Sequence, residues 1–209
     1  MCPDEIGSKY GDRIMMVLVI GGSGSGKSLW AEGYVASFPG QKYYLATMHI
    51  YDEETRGRIE RHRRQRSGKG FFTIEQPVDI RLAADKINLY QERTESCRHG
   101  KGVALLECIG SLAANEMFGG QEPAAEEAVV EKIVSGIASL KEELKNLVIV
   151  SNNVFEDGKV YDDTTMAYIR AMGWINERLA AMADQVVEVV AGIPVILKEE
   201  PGGNVPCTF

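Results

Sequence analysis

Short apolar runs that end at a glycine or a polar residue alternate with longer amphipathic stretches along this chain. The clearest run reads Ile-Met-Met-Val-Leu-Val-Ile over residues 14–20 and stops at Gly21-Gly22. Its length and its β-branched residues predict a buried strand of a parallel sheet. Comparable runs predict further strands at 42–46, 71–75, 103–106 and 147–150.

In the stretches between these runs, apolar residues recur at the spacing of a helix. The last such stretch places apolar side chains every three or four positions at Met166, Ile169, Met172, Ile175, Leu179 and Met182. We predict helices at 27–37, 52–66, 79–93, 122–145 and 162–184, and a turn at Gly110-Ser111 after the strand at 103–106. Two final runs, 186–190 and 194–197, flank Ala-Gly-Ile and predict a pair of strands joined by a turn.

This order of elements predicts an α/β fold. Strands that alternate with helices form a mostly parallel sheet covered by helices on both faces. We expect the C-terminal strand pair to be antiparallel. We also expect one domain over 14–198, a loose leader over 1–13 and a loose tail, rich in Pro and Gly, over 199–209.

Composition excludes several classes of protein. The 209 residues include 23 Lys+Arg and 30 Asp+Glu, so the formal net charge is −7. An acidic balance disfavours a nucleic-acid partner, and no apolar run approaches the roughly 18 residues that a membrane span needs. The four widely spaced cysteines are typical of a reducing compartment, so we expect a cytoplasmic protein.

A phosphate-binding motif lies between the first predicted strand and the first predicted helix. The pattern G-x-x-x-x-G-K-[ST] is matched in full by Gly21, Gly22, Ser23, Gly24, Ser25, Gly26, Lys27 and Ser28. Glycines let the backbone aim its N–H groups at a phosphate, the Lys27 ammonium reaches the outer phosphates, and the Ser28 hydroxyl binds Mg²⁺. The motif therefore predicts a nucleotide-binding P-loop NTPase fold of the RecA-like type.

Two acidic residues follow predicted strands. Glu107 comes directly after the apolar run at 103–106, where it would face the crevice in which α/β folds bind ligands, as a metal or ribose partner. Glu75 has the same placement at the end of the strand at 71–75. A solvated side chain at a strand end is the simpler alternative for both.

The segment from Arg56 to Arg66 contains six arginines in eleven residues, with His62 among them. Such a run is often only a solvated helix face. Arginine forks nevertheless suit phosphate oxygens, and a histidine beside them can act as a base or as a nucleophile that forms a phosphoramidate.

Taken together, the motifs resemble those of one family. Four segments occur in its order and spacing, and a fifth is similar to its last helix: Ile20-Gly-Gly-Ser-Gly-Ser-Gly-Lys-Ser28, Leu45-Ala-Thr-Met48, Arg58-Ile-Glu-Arg-His62-Arg, Leu105-Leu-Glu-Cys-Ile109 and, for the last helix, 174–184. The chain thereby resembles the bifunctional adenosylcobinamide kinase / adenosylcobinamide-phosphate guanylyltransferase family of cobalamin biosynthesis. It departs from the family's usual pattern at 151–155 and 157–165.

The resemblance implies two reactions: phosphorylation of adenosylcobinamide by a nucleoside triphosphate, ATP or GTP, and transfer of GMP from GTP through a guanylylated histidine. His62 matches that catalytic histidine, and residues 21–28 match the triphosphate loop. The remaining positions that match guanine-nucleotide contacts are Thr47, Met48, His49, Arg63, Arg64, Gln65, Arg66, Glu75 and Glu107. The family also implies Mg²⁺, a corrinoid substrate and a homo-oligomer, with a trimer as the expected state.

Two other functions remain compatible with the motifs. A different small-molecule kinase would use His62 and the arginines only to clamp phosphates, and it would form no covalent enzyme–nucleotide species. A nucleotide-sensing module would bind the triphosphate without turnover.

Overall fold

The described part of the chain is built on one seven-stranded sheet. The computed structural model describes residues 15–49, 57, 60, 64, 68–94, 101–153, 159 and 161–200. The strands are β1 (Met15–Ile20), β2 (Lys42–Ala46), β3 (Phe71–Glu75), β4 (Val103–Glu107), β5 (Asn146–Val150), β6 (Gln185–Val190) and β7 (Ile193–Glu199). The helices that lie wholly within the described residues are α1 (Lys27–Ala36), α2 (Leu82–Thr94), α3 (Ile109–Phe118), α4 (Glu126–Glu143) and α5 (Asp163–Met182).

The strand order is β3-β2-β4-β5-β1-β6-β7, and every neighbouring pair is parallel except β6 and β7. This confirms the predicted mostly parallel sheet with an antiparallel pair at its C-terminal end. β5 lies between β1 and β4, so the strand that leads into the phosphate-binding motif is two places from the strand that ends in Glu107.

Alternate side chains of β1 enter two separate apolar clusters. Met16 and Leu18 pack on one face of the sheet with residues of α2, α3, α4 and α5. Val17 and Val19 pack on the other face with Trp30 and its neighbours on α1. Each fully buried side chain of this size contributes about 1.5–3 kcal/mol. Helices therefore cover both faces, as the sequence predicts.

The turn predicted at Gly110-Ser111 is wrong, because α3 already begins at Ile109. Gly and Ser favour turns, but Leu112 and Met117 continue a buried apolar stripe with Ile109 at helical spacing. Burial of that stripe outweighs the local turn preference of the two small residues.

Other predicted bounds shift by a few residues. α2 starts at Leu82, after a turn in which Asp79 has a left-handed φ of 47°. α4 starts at Glu126 rather than at Glu122. β7 continues to Glu199, and the Glu200 amide donates to the carbonyl oxygen of Asp184 at 3.0 Å.

Part of the secondary-structure prediction concerns residues outside the described ranges. Gly57, Glu60 and Arg64 are helical, whereas the rest of the predicted helix at 52–66 lies outside the described residues, as do the leader over 1–13 and residues 201–209. None of the helices in the described part of the chain is long and apolar enough to cross a membrane.

Candidate nucleotide site

Residues 21–28 form the connection between β1 and α1, as predicted, and we call them the phosphate loop. A Cβ at Gly21 would lie 2.6 Å from the carbonyl oxygen of Val189 and 2.7 Å from Ser25 Oγ, so only glycine fits there. Gly26 has a left-handed φ of 91° and is the N-terminal cap of α1. The loop therefore delivers its backbone to the N-terminus of a helix, where N–H groups and the helix dipole favour an anion.

Lys27 and Ser28 occupy the first turn of α1. The Lys27 side chain is buried, and its Nζ donates to the carbonyl oxygen of Gly22 at 3.0 Å, which folds the ammonium over the loop. Ser28 Oγ donates to Glu107 Oε1. The hydroxyl predicted to bind a metal and the carboxylate predicted to assist it are thus in direct contact.

Glu107 reaches this position because β4 ends two strands from β1. Its Cα is in register with Val150 of β5 and with Ala46 of β2, and Ala46 is in register with Glu75 of β3. Glu75 and Glu107 therefore stand two strand spacings apart, about 10 Å, at one end of the sheet. We call this end, where the parallel strands finish, the carboxyl edge.

Thr47 joins the ends of β2 and β4. Its hydroxyl donates to the carbonyl oxygen of Cys108 at 2.8 Å and accepts from the Cys108 amide at 2.7 Å, and its own amide donates to the carbonyl oxygen of Glu107 at 3.1 Å. Because Thr47 is fully buried, these bonds hold the backbone around Glu107 in place. Its predicted contact with nucleotide stays a prediction.

The other predicted residues fall into two groups. Met48, after β2, is half-buried, and His49 and Glu75 are exposed at the carboxyl edge. Arg64 is exposed, and its guanidinium nitrogen lies 3.9 Å from a carboxylate oxygen of Glu60, one helical turn earlier. His62, Arg63, Gln65 and Arg66 lie outside the described residues. The roles predicted for both groups stay predictions.

Long-range contacts that sequence reasoning missed support the phosphate loop. The Asn153 amide, beyond the end of β5, donates to the carbonyl oxygen of Gly21 at 3.1 Å. The Gly192 amide, in the turn between β6 and β7, donates to the carbonyl oxygen of Ser25 at 2.8 Å. The left-handed φ values of Ala191 and Gly192, 50° and 83°, indicate a tight hairpin turn, but nothing in the sequence indicates that this turn reaches the loop.

Two ionisable side chains beside the site, a thiol and a phenol, have raised pKa values. Burial raises the pKa of the Cys108 thiol, and the neighbouring Glu107 carboxylate raises it further. Burial also raises the pKa of Tyr168 to about 12, and its hydroxyl donates to the carbonyl oxygen of Gly110 at 3.2 Å. Both groups are therefore neutral at physiological pH, which argues against Cys108 as a nucleophile.

The donor set at Ser28 and Glu107 fits a hard divalent cation. Mg²⁺ prefers oxygen ligands and is bound by one or two protein side chains together with substrate phosphates. Within the described ranges, no group of three or more His, Cys, Asp and Glu side chains could hold a metal ion. A hydroxyl and a carboxylate in contact beside the phosphate loop are the donors that such a shared Mg²⁺ site requires.

The sequence of the chain is similar to one protein family and to three named relatives. Residues 17–197 match the family described as cobinamide kinase / cobinamide phosphate guanyltransferase. The chain is 35% identical over 196 residues to the bifunctional adenosylcobalamin biosynthesis protein CobU of Escherichia coli, with 88% of this chain and 100% of that protein covered. It is 34% identical over 194 residues to the CobU protein of Salmonella typhimurium, with the same coverage of 88% and 100%. It is 27% identical over 204 residues to the CobP protein of Pseudomonas aeruginosa, with 90% and 99% covered.

Proposed function

The chain belongs to the cobinamide kinase / cobinamide phosphate guanyltransferase family, and from that premise we propose which of its residues act in each of the two reactions. In the first, a nucleoside triphosphate, ATP or GTP, phosphorylates the hydroxyl of adenosylcobinamide. In the second, GMP passes from GTP to that phosphate and gives adenosylcobinamide-GDP. The contact between Ser28 and Glu107 beside a complete phosphate loop is the observation that supports this assignment best.

The phosphate loop binds the triphosphate in both reactions. Its backbone N–H groups surround the phosphates, and Lys27 exchanges its bond to the Gly22 carbonyl for the outer phosphate oxygens. Ser28 and Glu107 would hold Mg²⁺ together with those oxygens, and the ion supplies charge neutralisation there.

His62 carries the guanylyl group in the second reaction. An imidazole nitrogen of His62 attacks the α-phosphorus of GTP, so that a P–N bond forms as the bond to pyrophosphate breaks. An oxygen of cobinamide phosphate then attacks the same phosphorus and breaks the P–N bond. Arg63, Arg64 and Arg66 neutralise the phosphates during both steps, an assignment that rests on their place beside His62 in the sequence.

Recognition of the nucleoside falls to the carboxyl edge near β2 and β3. His49 and Glu75 are exposed there, so a guanine base or its ribose can reach both side chains. We assign the same role to Met48 and Gln65. We assign Thr47 a positioning role, because its hydroxyl is bonded to the backbone next to Glu107.

Labelling with GTP tests the covalent step. The protein is incubated with Mg²⁺ and GTP labelled at the α-phosphate, denatured, and examined for retained label. We expect label that is acid-labile and base-stable, as for a histidine phosphoramidate, and that is absent from His62→Ala. His99→Ala is the matched control, since the same change at another histidine should leave the label intact.

The opposite result has a specific meaning. A wild-type protein that binds GTP, retains no label and still phosphorylates adenosylcobinamide would be a kinase alone. Binding of nucleotide with neither reaction would indicate the sensing module. Label that persists in His62→Ala would refute the assignment of the nucleophile.

We propose further that the protein is a homo-oligomer, with a trimer as the expected state. β7 is an edge strand with exposed apolar side chains at Ile193, Val195, Ile196 and Leu197, and such a patch marks an interaction surface. Leu197→Lys should lower the mass measured by sedimentation equilibrium. The matched control is Leu89→Lys, a similarly exposed leucine on α2.

A further inference from the structure

A pocket of about 400 Å³ lies between the C-terminal end of α3 and the N-terminal ends of α4 and α5. Its apolar walls come from α3, from the connection to α4 and from α5, and its acidic residues come from the first turns of α4 and α5. The lining residues are Met117, Phe118, Pro123, Ala124, Ala125, Glu126, Glu127, Asp163, Thr164 and Ala167.

This pocket lies at the carboxyl edge, the end of the sheet at which the phosphate loop also lies, although its three helices and α1 pack on opposite faces. α3 starts two residues after Glu107, and Asn115 near its other end donates to the carbonyl oxygen of Thr47 at 2.8 Å, so the helix runs along that edge. A binding site beside α3 is therefore within reach of the strand ends that carry the nucleotide site.

Short contacts connect the pocket to the phosphate loop. Tyr168 follows the lining residue Ala167, and its hydroxyl lies 3.2 Å from the carbonyl oxygen of Gly110. Gly110 packs so closely on Asn152 that a Cβ would lie 2.9 Å from the Asn152 amide nitrogen. The next residue, Asn153, donates to Gly21 at 3.1 Å. Among the described residues, Tyr168, Gly110, Asn152 and Asn153 thus form a continuous line of contacts from the pocket to the loop.

The charge of the pocket disfavours binding of a nucleotide. Of the ten described residues that line it, three are acids and none is basic. Glu126 is paired with Arg170 through bonds of 2.6 and 3.1 Å. Glu127 and Asp163 are exposed at the rim, and Arg170 interacts electrostatically with both, so three acids against one arginine leave a formal charge of 1 − 3 = −2. Acids at the rim repel phosphates and attract a cation, and the apolar walls suit a ligand with a large hydrocarbon surface.

We propose that this pocket binds the corrinoid acceptor, with one edge of the macrocycle against the apolar walls and its positive charge facing Glu127 and Asp163. In adenosylcobinamide, Co(III) bound by a monoanionic corrin and an alkyl carbanion leaves a charge of +1. The Tyr168 side lies toward the phosphate loop, so the hydroxyl that is phosphorylated extends past Tyr168. The inference rests on the proposed function, because that function supplies the corrinoid.

Two kinds of variant test the pocket. Ala124→Trp fills it, and the double change Glu127→Lys with Asp163→Lys reverses the charge of the rim. Two controls make the same kinds of change at the opposite ends of α4 and α5: Glu142→Lys and Ala181→Trp, both at exposed positions. Circular dichroism and the unfolding midpoint establish that each variant is folded.

Binding is measured by equilibrium dialysis with cobinamide, followed by its visible absorbance. We expect both pocket variants to bind aquacyanocobinamide, which carries +1, about tenfold more weakly than wild type does. The neutral dicyano form should lose affinity in Ala124→Trp and should lose much less in the charge-reversed variant. In kinetic assays the KM for adenosylcobinamide should rise, while the KM for nucleotide and the labelling by GTP do not change.

Failure of this inference differs from failure of the proposed function. Unchanged cobinamide binding in folded pocket variants, or an equal loss in the two controls, would overturn the pocket while phosphorylation and labelling persist. A wild-type protein that neither labels with GTP nor phosphorylates a corrinoid would overturn the function itself.

Discussion

Breaking the buried ion pair between Glu32 and Lys69 should destabilise the protein far more than breaking an exposed pair. Glu32 lies on α1, its side chain is 1% exposed, and its Oε2 accepts from Lys69 Nζ at 2.8 Å. Its other oxygen, Oε1, is buried and has no hydrogen-bond partner among the described residues. Lys69 follows the segment that contains His62, so this pair ties the chain after that segment to the helix of the phosphate loop.

The magnitude follows from burial. Removing one partner of a buried pair leaves an uncompensated charge and costs 3–5 kcal/mol. Because the Lys69 side chain is 28% exposed and water reaches part of the pair, we expect Lys69→Met to cost about 3 kcal/mol. For a domain of this size that corresponds to a drop in Tm of about 6–12 °C.

Urea unfolding followed by circular dichroism measures the change, with two controls. Arg178→Met breaks the pair with Glu131, whose partners are 47% and 65% exposed, and should cost less than about 1 kcal/mol. The double change Glu32→Leu with Lys69→Met removes both charges and should lie within about 1 kcal/mol of wild type. Equal losses in Lys69→Met and Arg178→Met would refute the reasoning, since burial would then make no difference.

Two further predictions concern the carboxyl edge. Glu107→Gln removes the carboxylate that contacts Ser28, so the Mg²⁺ concentration for half-maximal activity should rise at least tenfold, about 1.4 kcal/mol, in a titration at fixed nucleotide; an unchanged titration would exclude Glu107 from the metal site. Folding raises the pKa of the Cys108 thiol above its ordinary value of 9.0. The protein therefore keeps this contribution to its unfolding free energy below pH 9.0 and loses it as the pH rises toward and through the folded-state pKa. Urea titrations from pH 8 to 10 should show the unfolding free energy falling more steeply for wild type than for Cys108→Ala, and parallel slopes would contradict the assignment.

Elements bounded by strong local signals could be predicted closely from the sequence. β2 and β3 have the predicted bounds, because each apolar run is short and ends at a polar residue or a loop. The phosphate loop was predictable for another reason: its residue types serve a local geometry, as the tight packing of Gly21 and the left-handed φ of Gly26 show. Glu107 was predictable from its place at the end of a buried strand.

Features set by distant parts of the chain could not be predicted in this way. The Gly192 turn and Asn153 both bond to the phosphate loop, but they approach it only because β6 and β5 flank β1 in the sheet. The sequence predicts that Thr47 contacts nucleotide, but nothing local indicates that its hydroxyl is bonded to the Cys108 backbone. The apolar spacing of α3 is visible in the sequence, but Gly110 and Ser111 at its start favour a turn, and only the burial of Ile109 and Leu112 in the tertiary structure decides for the helix.

The position of β1 in the sheet has a consequence for how the protein is made. β1 leaves the ribosome before the other strands of this sheet, but its two neighbours are β5 and β6, and the bond from the Met16 amide to Asp184 spans 168 positions. At 5–20 residues per second, synthesis of that interval takes roughly ten to thirty seconds. Until β5 is made, β1 has neither neighbouring strand to pair with, and until β6 follows it has only one, so its apolar residues and unpaired backbone make the nascent chain a client for chaperones. The phosphate-binding motif after β1 thus becomes a working nucleotide site only when strands made much later join the sheet.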